Sequence, residues 1–175
     1  ALNKKGDKLL YQDKKGYEDP WRKHHQSSIT RDIWLCTLDR EHSFQKITSF
    51  KGEDRNPVWA TDGSSFYYLS EEKGSFNIFK NDLTGRNSRQ ITNHTMHPVR
   101  FLTSDNNGNL CYGYDGEIYT VKEGTQPKKV DVQIISDKVE NDLIHQLKAS
   151  GATDIAVSPN GKEVAFIVRG DVYVT

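Results

Sequence analysis

Residues 62–68 read DGSSFYY, and variants of this heptapeptide recur three times along the chain. Residues 160–166 read NGKEVAF and residues 5–11 read KGDKLLY, while residues 107–112, NGNLCY, match with one residue deleted. Each copy has a turn with glycine, then an apolar residue, a spacer and an aromatic. Asp-Gly and Asn-Gly favour the positive φ angles of tight hairpin turns, and the alternation places apolar side chains on one strand face. The repeat therefore predicts β-hairpins.

Further strand signals surround each turn. A second strand is marked by an aliphatic–aromatic pair, and the four pairs are Ile33-Trp34, Ile78-Phe79, Ile118-Tyr119 and Val172-Tyr173. A strand before the turn is marked by Pro57-Val58-Trp59, Pro98-Val99 and Ile155-Ala156-Val157. A last strand is marked at residues 45–48 (QKIT), 90–92 (QIT) and, more faintly, 128–130 (KKV).

These signals recur about every 40–45 residues, which is the period of a four-stranded β-propeller blade. The predicted fold class is all-β: a partial β-propeller of about four blades of four-stranded antiparallel sheets, with one short inserted helix. A sandwich or a meander also has many short strands, but neither gives a reason for one turn pattern to recur four times.

The predicted blades cover residues 1–48, 49–92, 93–131 and 132–175. If the strands of a blade are called a, b, c and d, the chain is expected to begin in strand b of the first blade and to end in strand c of the fourth. We therefore interpret it as an excised or processed piece whose ring closes with further blades. Exposed strand edges would then allow pairing with another copy, as a homo-oligomer.

Two insertions interrupt the repeat. Residues 16–28 enlarge a b–c connection, and residues 136–148 enlarge a d–a connection. In the second insertion Val139, Leu143 and Leu147 form a helical stripe, which predicts a short helix. Since b–c and d–a connections lie at the same end of an antiparallel blade, both insertions are expected on one face, which is our candidate binding face.

Composition excludes several classes of function. The 24 basic and 24 acidic residues balance, which argues against a nucleic-acid binder. No apolar run approaches the ~20 residues of a membrane span, and the N-terminus has no signal-like apolar region. Two cysteines, Cys36 and Cys111, predict two buried thiols rather than a disulfide framework. No cofactor motif is present. The compartment is not decided, with an extracytoplasmic location slightly favoured over the cytoplasm.

The first insertion contains the run WRKHH at residues 21–25. Adjacent histidines point apart and no third ligand has suitable spacing, so a metal site is not predicted. Ser27 and Ser28 lie in no nucleophile-elbow motif, so a catalytic role is not predicted. Two interpretations stay open: a packed loop whose tryptophan covers a blade edge while its arginine and lysine pair with Glu18 and Asp19, or a contact with a peptide or another domain. The candidate contact residues are Tyr17, Trp21, Arg22, Lys23, His24 and His25.

Other polar groups have simpler explanations. Residues 104–109, SDNNGN, have the composition of a calcium loop, but the glycine stands at the wrong offset from Asp105 for an EF-hand, so a polar hairpin turn is predicted. His94 and His97 lie in the connection between the second and third blades, and surface positions are expected for both.

The repeat resembles the WD-like propeller repeats of the TolB and tricorn type, written P-x-W-S-P-D-G-x-x-I-x-F. Residues 57–68 read PVWATDGSSFYY, and residues 158–161 read SPNG. More specific matches lie in four segments: KGYEDPWRKHH at 15–25, RDIW at 31–34, GATDIAVSP at 151–159 and RGDVY at 169–173. Together they resemble the first propeller of bacterial tricorn-like serine proteases over nearly the whole chain. The third blade departs from the pattern, with Arg100-Phe101-Leu102 expected where W-S-P would stand.

The resemblance implies a non-catalytic module that guides or gates peptides toward a peptidase domain outside this chain. In the family a PDZ domain and a serine peptidase core follow the propellers, so the implied partners are the remaining blades, these two domains, and peptide substrates or products. The parent would then be a hydrolase, while this chain would carry no catalytic residue. Two alternatives remain: a TolB-like propeller that docks a protein partner, and a propeller hydrolase of the prolyl-oligopeptidase kind.

Overall fold

The computed structural model describes residues 1–16, 21–24, 26–135 and 150–175. These residues form fourteen strands in four antiparallel sheets. Within each sheet, strands that are consecutive in sequence pair with each other. Sheet 1 contains β1 (Lys8–Gln12), β2 (Ile33–Thr37) and β3 (Ser43–Lys46). Sheet 2 contains β4 (Asp54–Trp59), β5 (Ser65–Ser70), β6 (Asn77–Asp82) and β7 (Arg89–Gln90). Sheet 3 contains β8 (Arg100–Ser104), β9 (Asn109–Tyr114), β10 (Glu117–Lys122) and β11 (Lys128–Lys129). Sheet 4 contains β12 (Ala152–Val157), β13 (Val164–Val168) and β14 (Asp171–Val174).

The all-β fold class is confirmed, since four antiparallel sheets of three or four strands match a partial β-propeller. The helix predicted over 136–148 lies outside the described residues. Within the described ranges no helix is long and apolar enough to cross a membrane. The chain divides into two compact units, Ala1–Val132 with sheets 1 to 3 and Gln133–Thr175 with sheet 4.

The turn that opens each repeat is organised by one side chain. The carboxylate of Asp62 accepts hydrogen bonds from the backbone N–H groups of Ser64 and Ser65, and Gly63 has the positive φ of 66° that the turn requires. Asp105 and Asn160 accept backbone hydrogen bonds in the same way in sheets 3 and 4. The polar segment around Asp105 is thus a hairpin turn.

Sheet 2 is buried on both faces because its strands alternate between two cores. One face packs on sheet 1, and this core contains Leu10, Ile33, Leu35, Ile47, Phe66, Tyr68 and Phe79. The other face packs on sheet 3, and this core contains Ala60, Tyr67, Leu69, Phe76, Ile78, Val99, Leu102, Leu110, Tyr112 and Val121. Burial of these large side chains, worth about 1.5–3 kcal/mol each, holds the three sheets together face to face.

A threonine that follows the last strand of a sheet binds the neighbouring strand of the same sheet. In sheet 2 the Thr92 hydroxyl accepts the N–H of Ile78 at 2.9 Å and donates to Asn77 Oδ1 at 2.9 Å. In sheet 1 the Thr48 hydroxyl accepts the N–H of Ile33 at 2.9 Å. We call this contact the threonine latch; it explains why the QKIT and QIT segments share their ending.

The first strands of sheets 2 and 3 share a β-bulge, which corrects the predicted register of sheet 3. The register shifts between Arg55 and Val58 in β4, and between Arg100 and Thr103 in β8. Trp59 pairs with Phe66, and its counterpart Ser104 pairs with Leu110. Arg100 is therefore equivalent to Arg55, not to the tryptophan of the repeat. Placing Arg100-Phe101-Leu102 at W-S-P was wrong, because Ser104, at the same distance from the turn glycine Gly108 as Trp59 is from Gly63, occupies the tryptophan position. Pro98-Val99 precedes β8 and is not part of it.

Sheet 4 repeats the same construction by itself. Its first strand carries an irregularity between Ala152 and Asp154, and Phe166 stacks on Tyr173 with ring centroids 5.5 Å apart. This aromatic pair corresponds to Tyr68 and Phe79 of sheet 2, whose centroids are 6.0 Å apart.

A substitution of Thr92 by Val should destabilise the chain by about 1–3 kcal/mol, because the buried N–H of Ile78 would lose its acceptor. Chemical denaturation would measure the free energy of unfolding. Thr95→Val is the matched control, since Thr95 is exposed and close in sequence. Equal stability of the Thr92 and Thr95 variants would contradict a structural role for the latch.

Asp54 should make stability fall with rising pH. It is 1% exposed, its Oδ1 has no hydrogen-bond partner among the described residues, and burial raises its pKa to about 7 from the usual 3.8. Because the folded chain holds this proton more tightly than the unfolded chain, the stabilising contribution is full below about pH 4 and is lost as the pH rises to about 7, a loss of roughly 3–4 kcal/mol. Denaturation of Asp54→Asn from pH 4 to 8 should show a flatter dependence than the wild type. Asp39→Asn, at an exposed turn, is the control for removing a carboxylate that is not buried.

Candidate peptide-contact site

The candidate contact residues lie in the long connection between β1 and β2. Trp21, Arg22, Lys23 and His24 form one continuous, exposed segment, which we call the contact segment. Tyr17 and His25 lie outside the described residues. The structure thus brings four of the six candidates together.

One end of the contact segment is attached to sheet 3. The Trp21 ring meets Phe101 edge to face, with centroids 6.2 Å apart, and the Arg100 guanidinium lies 4.7 Å from the Trp21 ring centroid. Arg100 Nη2 also donates a hydrogen bond to the Trp21 carbonyl oxygen at 3.2 Å. These contacts join a loop of the first sheet to the bulge of β8. Trp21 nevertheless remains 61% exposed, so its ring offers a large apolar surface.

The other end of the contact segment is attached to sheet 2. The backbone N–H of His24 donates to Glu71 Oε2 at 2.7 Å, and His24 Nδ1 lies 3.7 Å from the same oxygen. Glu71 follows β5 and its side chain is only 3% exposed. His24 has a left-handed φ of 56°, which this hydrogen bond helps to hold. Arg22 and Lys23 are therefore held, exposed, between two fixed neighbours.

A buried ionic cluster of Arg31, Glu53 and Arg55 lies close to the contact segment. Glu53 is 1% exposed and pairs with Arg31, and its Oε1 lies 3.8 Å from Arg55 Nη1. Arg55 also lies over the Phe76 ring, 4.1 Å from its centroid. Burial lowers the pKa of Arg55, and the negative charge of Glu53 opposes this effect. Charged groups this deeply buried must be paired, so the cluster fixes the start of β4.

An open pocket of about 310 Å³ lies between Trp21 of the contact segment and the arginines of the ionic cluster. Its lining residues are Gln12, Trp21, Arg31, Arg55, Asn56, Leu69, Arg100 and Phe101. Sequence reasoning missed Arg55 and Arg100 because they lie at equivalent bulge positions. Aligning the two first strands with the bulge included would have revealed the repeated arginine.

His94 was expected at the surface, and it is only partly exposed. Its ring stacks on Tyr114 with centroids 3.8 Å apart, and its Nε2 lies 3.0 Å from the hydroxyl oxygen of buried Tyr112. Burial lowers the pKa of His94. Asn77 fixes the backbone of His94 by two hydrogen bonds, which places the imidazole on the aromatic face of sheet 3. His97 is half exposed and its Nε2 lies 3.3 Å from Asp115 Oδ1.

The serines beside the contact segment serve the local backbone. Ser27 Oγ accepts the N–H of Ile29 at 3.2 Å, and the Ser27 carbonyl accepts the Thr30 hydroxyl at 2.9 Å. Both cysteines have free thiols, with Cys36 buried and Cys111 half-buried. In the described part of the chain no three His, Cys, Asp or Glu residues are grouped so that they could hold a metal.

Two tricorn proteases are similar to this chain over about 90% of its length. The Tricorn protease homolog of Saccharolobus solfataricus is 25% identical over 164 residues, which is 91% of this chain and 15% of the relative. The Tricorn protease of Thermoplasma acidophilum is 25% identical over 159 residues, 90% of this chain and 14% of the relative. The chain resembles the tricorn proteases. The resemblance predicted from the sequence motifs is thus confirmed, and the chain spans about 15% of the length of these relatives. No family model matches the chain.

Solved structures show the same fold. The crystal structure of the tricorn protease superposes with a TM-score of 0.69 at 22% identity, over 99% of this chain and 16% of that one. A putative TolB from Agrobacterium tumefaciens gives a TM-score of 0.60 at 15% identity, over 73% of this chain and 46% of that one. A puromycin-hydrolyzing peptidase of Mycobacterium tuberculosis gives a TM-score of 0.57 at 15% identity, over 99% of this chain and 27% of that one. The propeller fold is therefore shared with both tricorn-like and TolB-like proteins.

Removal of the Glu71 carboxylate should loosen the contact segment. In Glu71→Ala the N–H of His24 loses a charged acceptor, and we expect trypsin cleavage after Arg22 and Lys23 to become about fivefold to tenfold faster. Mass spectrometry of timed digests would measure the two cleavage rates. Glu72→Ala is the control, because the Glu72 side chain is 39% exposed and its Oε1 lies 4.0 Å from Lys73 Nζ. Equal cleavage rates in the two variants would show that Glu71 does not hold His24.

Proposed function

We propose that this chain is a non-catalytic propeller module of a tricorn-like serine protease and guides or gates peptides toward a peptidase domain outside it. Its four sheets would be consecutive blades covering residues 1–48, 49–92, 93–131 and 132–175. The proposed partners are the remaining blades, the PDZ and peptidase domains of the parent, and the passing peptides. The similarity to tricorn proteases over about 90% of the chain supports this assignment.

The observation that carries the proposal is the position of the contact segment. A connection of sheet 1 reaches the first strand of sheet 3 through Trp21 and the end of β5 through His24. First strands line the centre of a propeller, so the segment would lie beside the central opening. An exposed aromatic ring followed by two exposed cations suits contact with a peptide that approaches this opening.

A second candidate is an interaction propeller of the TolB type that docks a protein partner and hydrolyses nothing. The TM-score of 0.60 to a putative TolB favours it on fold alone. A parent chain that ends soon after the propeller, with one stoichiometric partner in a pull-down, would support this candidate over the first. The fold is equally compatible with the propeller of a puromycin-hydrolysing peptidase, in which case a hydrolase domain would again lie outside this chain.

The test uses the parent protein. In Trp21→Ala we expect kcat/KM for peptides of roughly ten residues to fall about tenfold, because a central aromatic contact is commonly worth more than 1 kcal/mol. Hydrolysis of a small chromogenic amide, which needs no guidance, should stay unchanged. Phe44→Ala is the matched control, because Phe44 is an aromatic residue of sheet 1 that is 62% exposed and far from the segment in sequence.

Two outcomes would contradict the guiding role. Loss of both activities together would indicate a folding defect or a catalytic effect. Unchanged hydrolysis of both substrates would show that Trp21 makes no productive contact with the peptide. The isolated chain should hydrolyse neither substrate.

A further inference from the structure

A groove of about 590 Å³ adjoins the contact segment on sheet 3. Trp21 and Phe101 form one wall, and the turn between β9 and β10 forms the other, with Asp115 and Ile118 on it. The volume lies in the range of small-ligand sites and accommodates a large side chain with the neighbouring peptide backbone. Phe101 and Ile118 are 67% and 46% exposed, so the groove is lined by uncovered apolar surface.

The backbone at Phe101 is strained for a phenylalanine. Its φ is 56°, in the left-handed region, and the equivalent bulge residue of β4, Asn56, has a φ of 53°. Asparagine adopts this region readily, whereas a bulky residue there costs on the order of 1–3 kcal/mol. Because the Phe101 ring is 67% exposed, its burial offsets little of this strain energy. Packing within the chain therefore does not explain why this bulge carries an aromatic residue.

A glycine makes room for the Phe101 ring. A Cβ added to Gly113 would lie 3.2 Å from Phe101 Cδ2, which is tighter than ordinary contact. Gly113 pairs with Arg100 across the sheet, so the ring lies over the β9 backbone. Together with the edge-to-face contact from Trp21, this gives the ring one defined orientation with an uncovered side facing the groove.

Arg100 lines the groove beside Trp21, and two further cations, Arg22 and Lys23, follow Trp21 in the contact segment. The acidic groups on the opposite wall are already engaged: Asp115 with His97 at 3.3 Å, and Glu117 with Lys129 at 2.8 Å. Arg22 and Lys23 are exposed and form no ion pair with any residue in the described ranges. An acidic ligand that contacts Trp21 would thus lie close to two exposed cations, which follow Trp21 in the contact segment.

We propose that this groove selects peptide segments in which an aromatic or large apolar side chain stands beside acidic residues. The apolar side chain lies against Phe101 and Trp21, and the carboxylates pair with Arg22 and Lys23. The inference rests on the proposed guiding function and adds the chemical class of peptide that is guided. It assigns Phe101 to the site, a residue that was not among the candidate contact residues.

The test measures binding of fluorescein-labelled heptapeptides to the chain by fluorescence anisotropy. The probe is Gly-Ser-Phe-Glu-Asp-Ser-Gly, and its two comparators replace Phe by Ser or Glu-Asp by Lys-Lys. We expect each comparator to bind at least about tenfold more weakly than the probe. Raising the salt concentration from about 50 to 200 mM should weaken binding of the probe, because salt screens the attraction between its carboxylates and the cations Arg22 and Lys23.

Two variants locate the binding. Phe101→Asn should weaken binding of the probe about tenfold. The stability of this variant should equal or exceed that of the wild type, because asparagine adopts the left-handed backbone conformation readily. The double variant Arg22→Ala/Lys23→Ala should weaken binding of the probe about fivefold. The matched controls are Phe44→Asn, for an exposed aromatic, and Arg40→Ala with Arg86→Ala, for two exposed cations in other turns; both should bind as the wild type does.

Unchanged probe binding in Phe101→Asn, or equal binding of the Lys-Lys comparator, would overturn the proposal. If Phe101→Asn does not fold, the peptide comparators and the Arg22/Lys23 variant still decide it. A failure here is distinguishable from a failure of the guiding function, since that function is measured in the parent protein by the Trp21 variant with long and short substrates.

Discussion

The threonine latch is the contact on which the order of this propeller portion depends. The outermost strand β7 has only two residues, too few for a stable ladder of its own. Thr92 compensates by binding the N–H of Ile78, and Asn77 extends the same network into the following connection through His94. The chain therefore leaves sheets 1 and 2 from fixed points. The first strands of sheets 2 and 3 follow these points, and the buried faces of sheets 1, 2 and 3 pack on one another.

The same logic explains the candidate site. Connections that leave a fixed point can present charged groups at defined places, and the cluster of Arg31, Glu53 and Arg55 lies at the start of β4 for this reason. The contact segment then adds a layer built from three sheets: its sequence belongs to sheet 1, while its anchors are Glu71 after sheet 2's β5 and Phe101 in sheet 3. Arg22 and Lys23 owe their defined position to parts of the chain that are distant in sequence.

Much of the fold could be predicted because its signals are local. The Asp62-Gly63 turn and the alternation of Phe66 with Tyr68 are set by neighbouring residues and by strand geometry, so periodicity reveals them. The bulges escaped prediction because one extra residue changes the register without changing composition. His94 escaped for another reason: its burial depends on Tyr112 and Tyr114, which a hairpin turn brings to it from the next sheet. Contacts between sheets are long-range, and the sequence pattern of either partner alone carries little trace of them.

The paired bulges at Asn56 and Phe101 have an evolutionary consequence. When a blade is duplicated, its backbone geometry is copied together with every left-handed residue in it, and the side chain at that residue is then freed from its neighbours in the core. Each copy can change there independently without disturbing the strand ladder. The inner rim of a propeller thus offers a row of equivalent positions whose chemistry can diverge blade by blade, and a repeat protein can acquire new recognition by altering a single residue in one repeat.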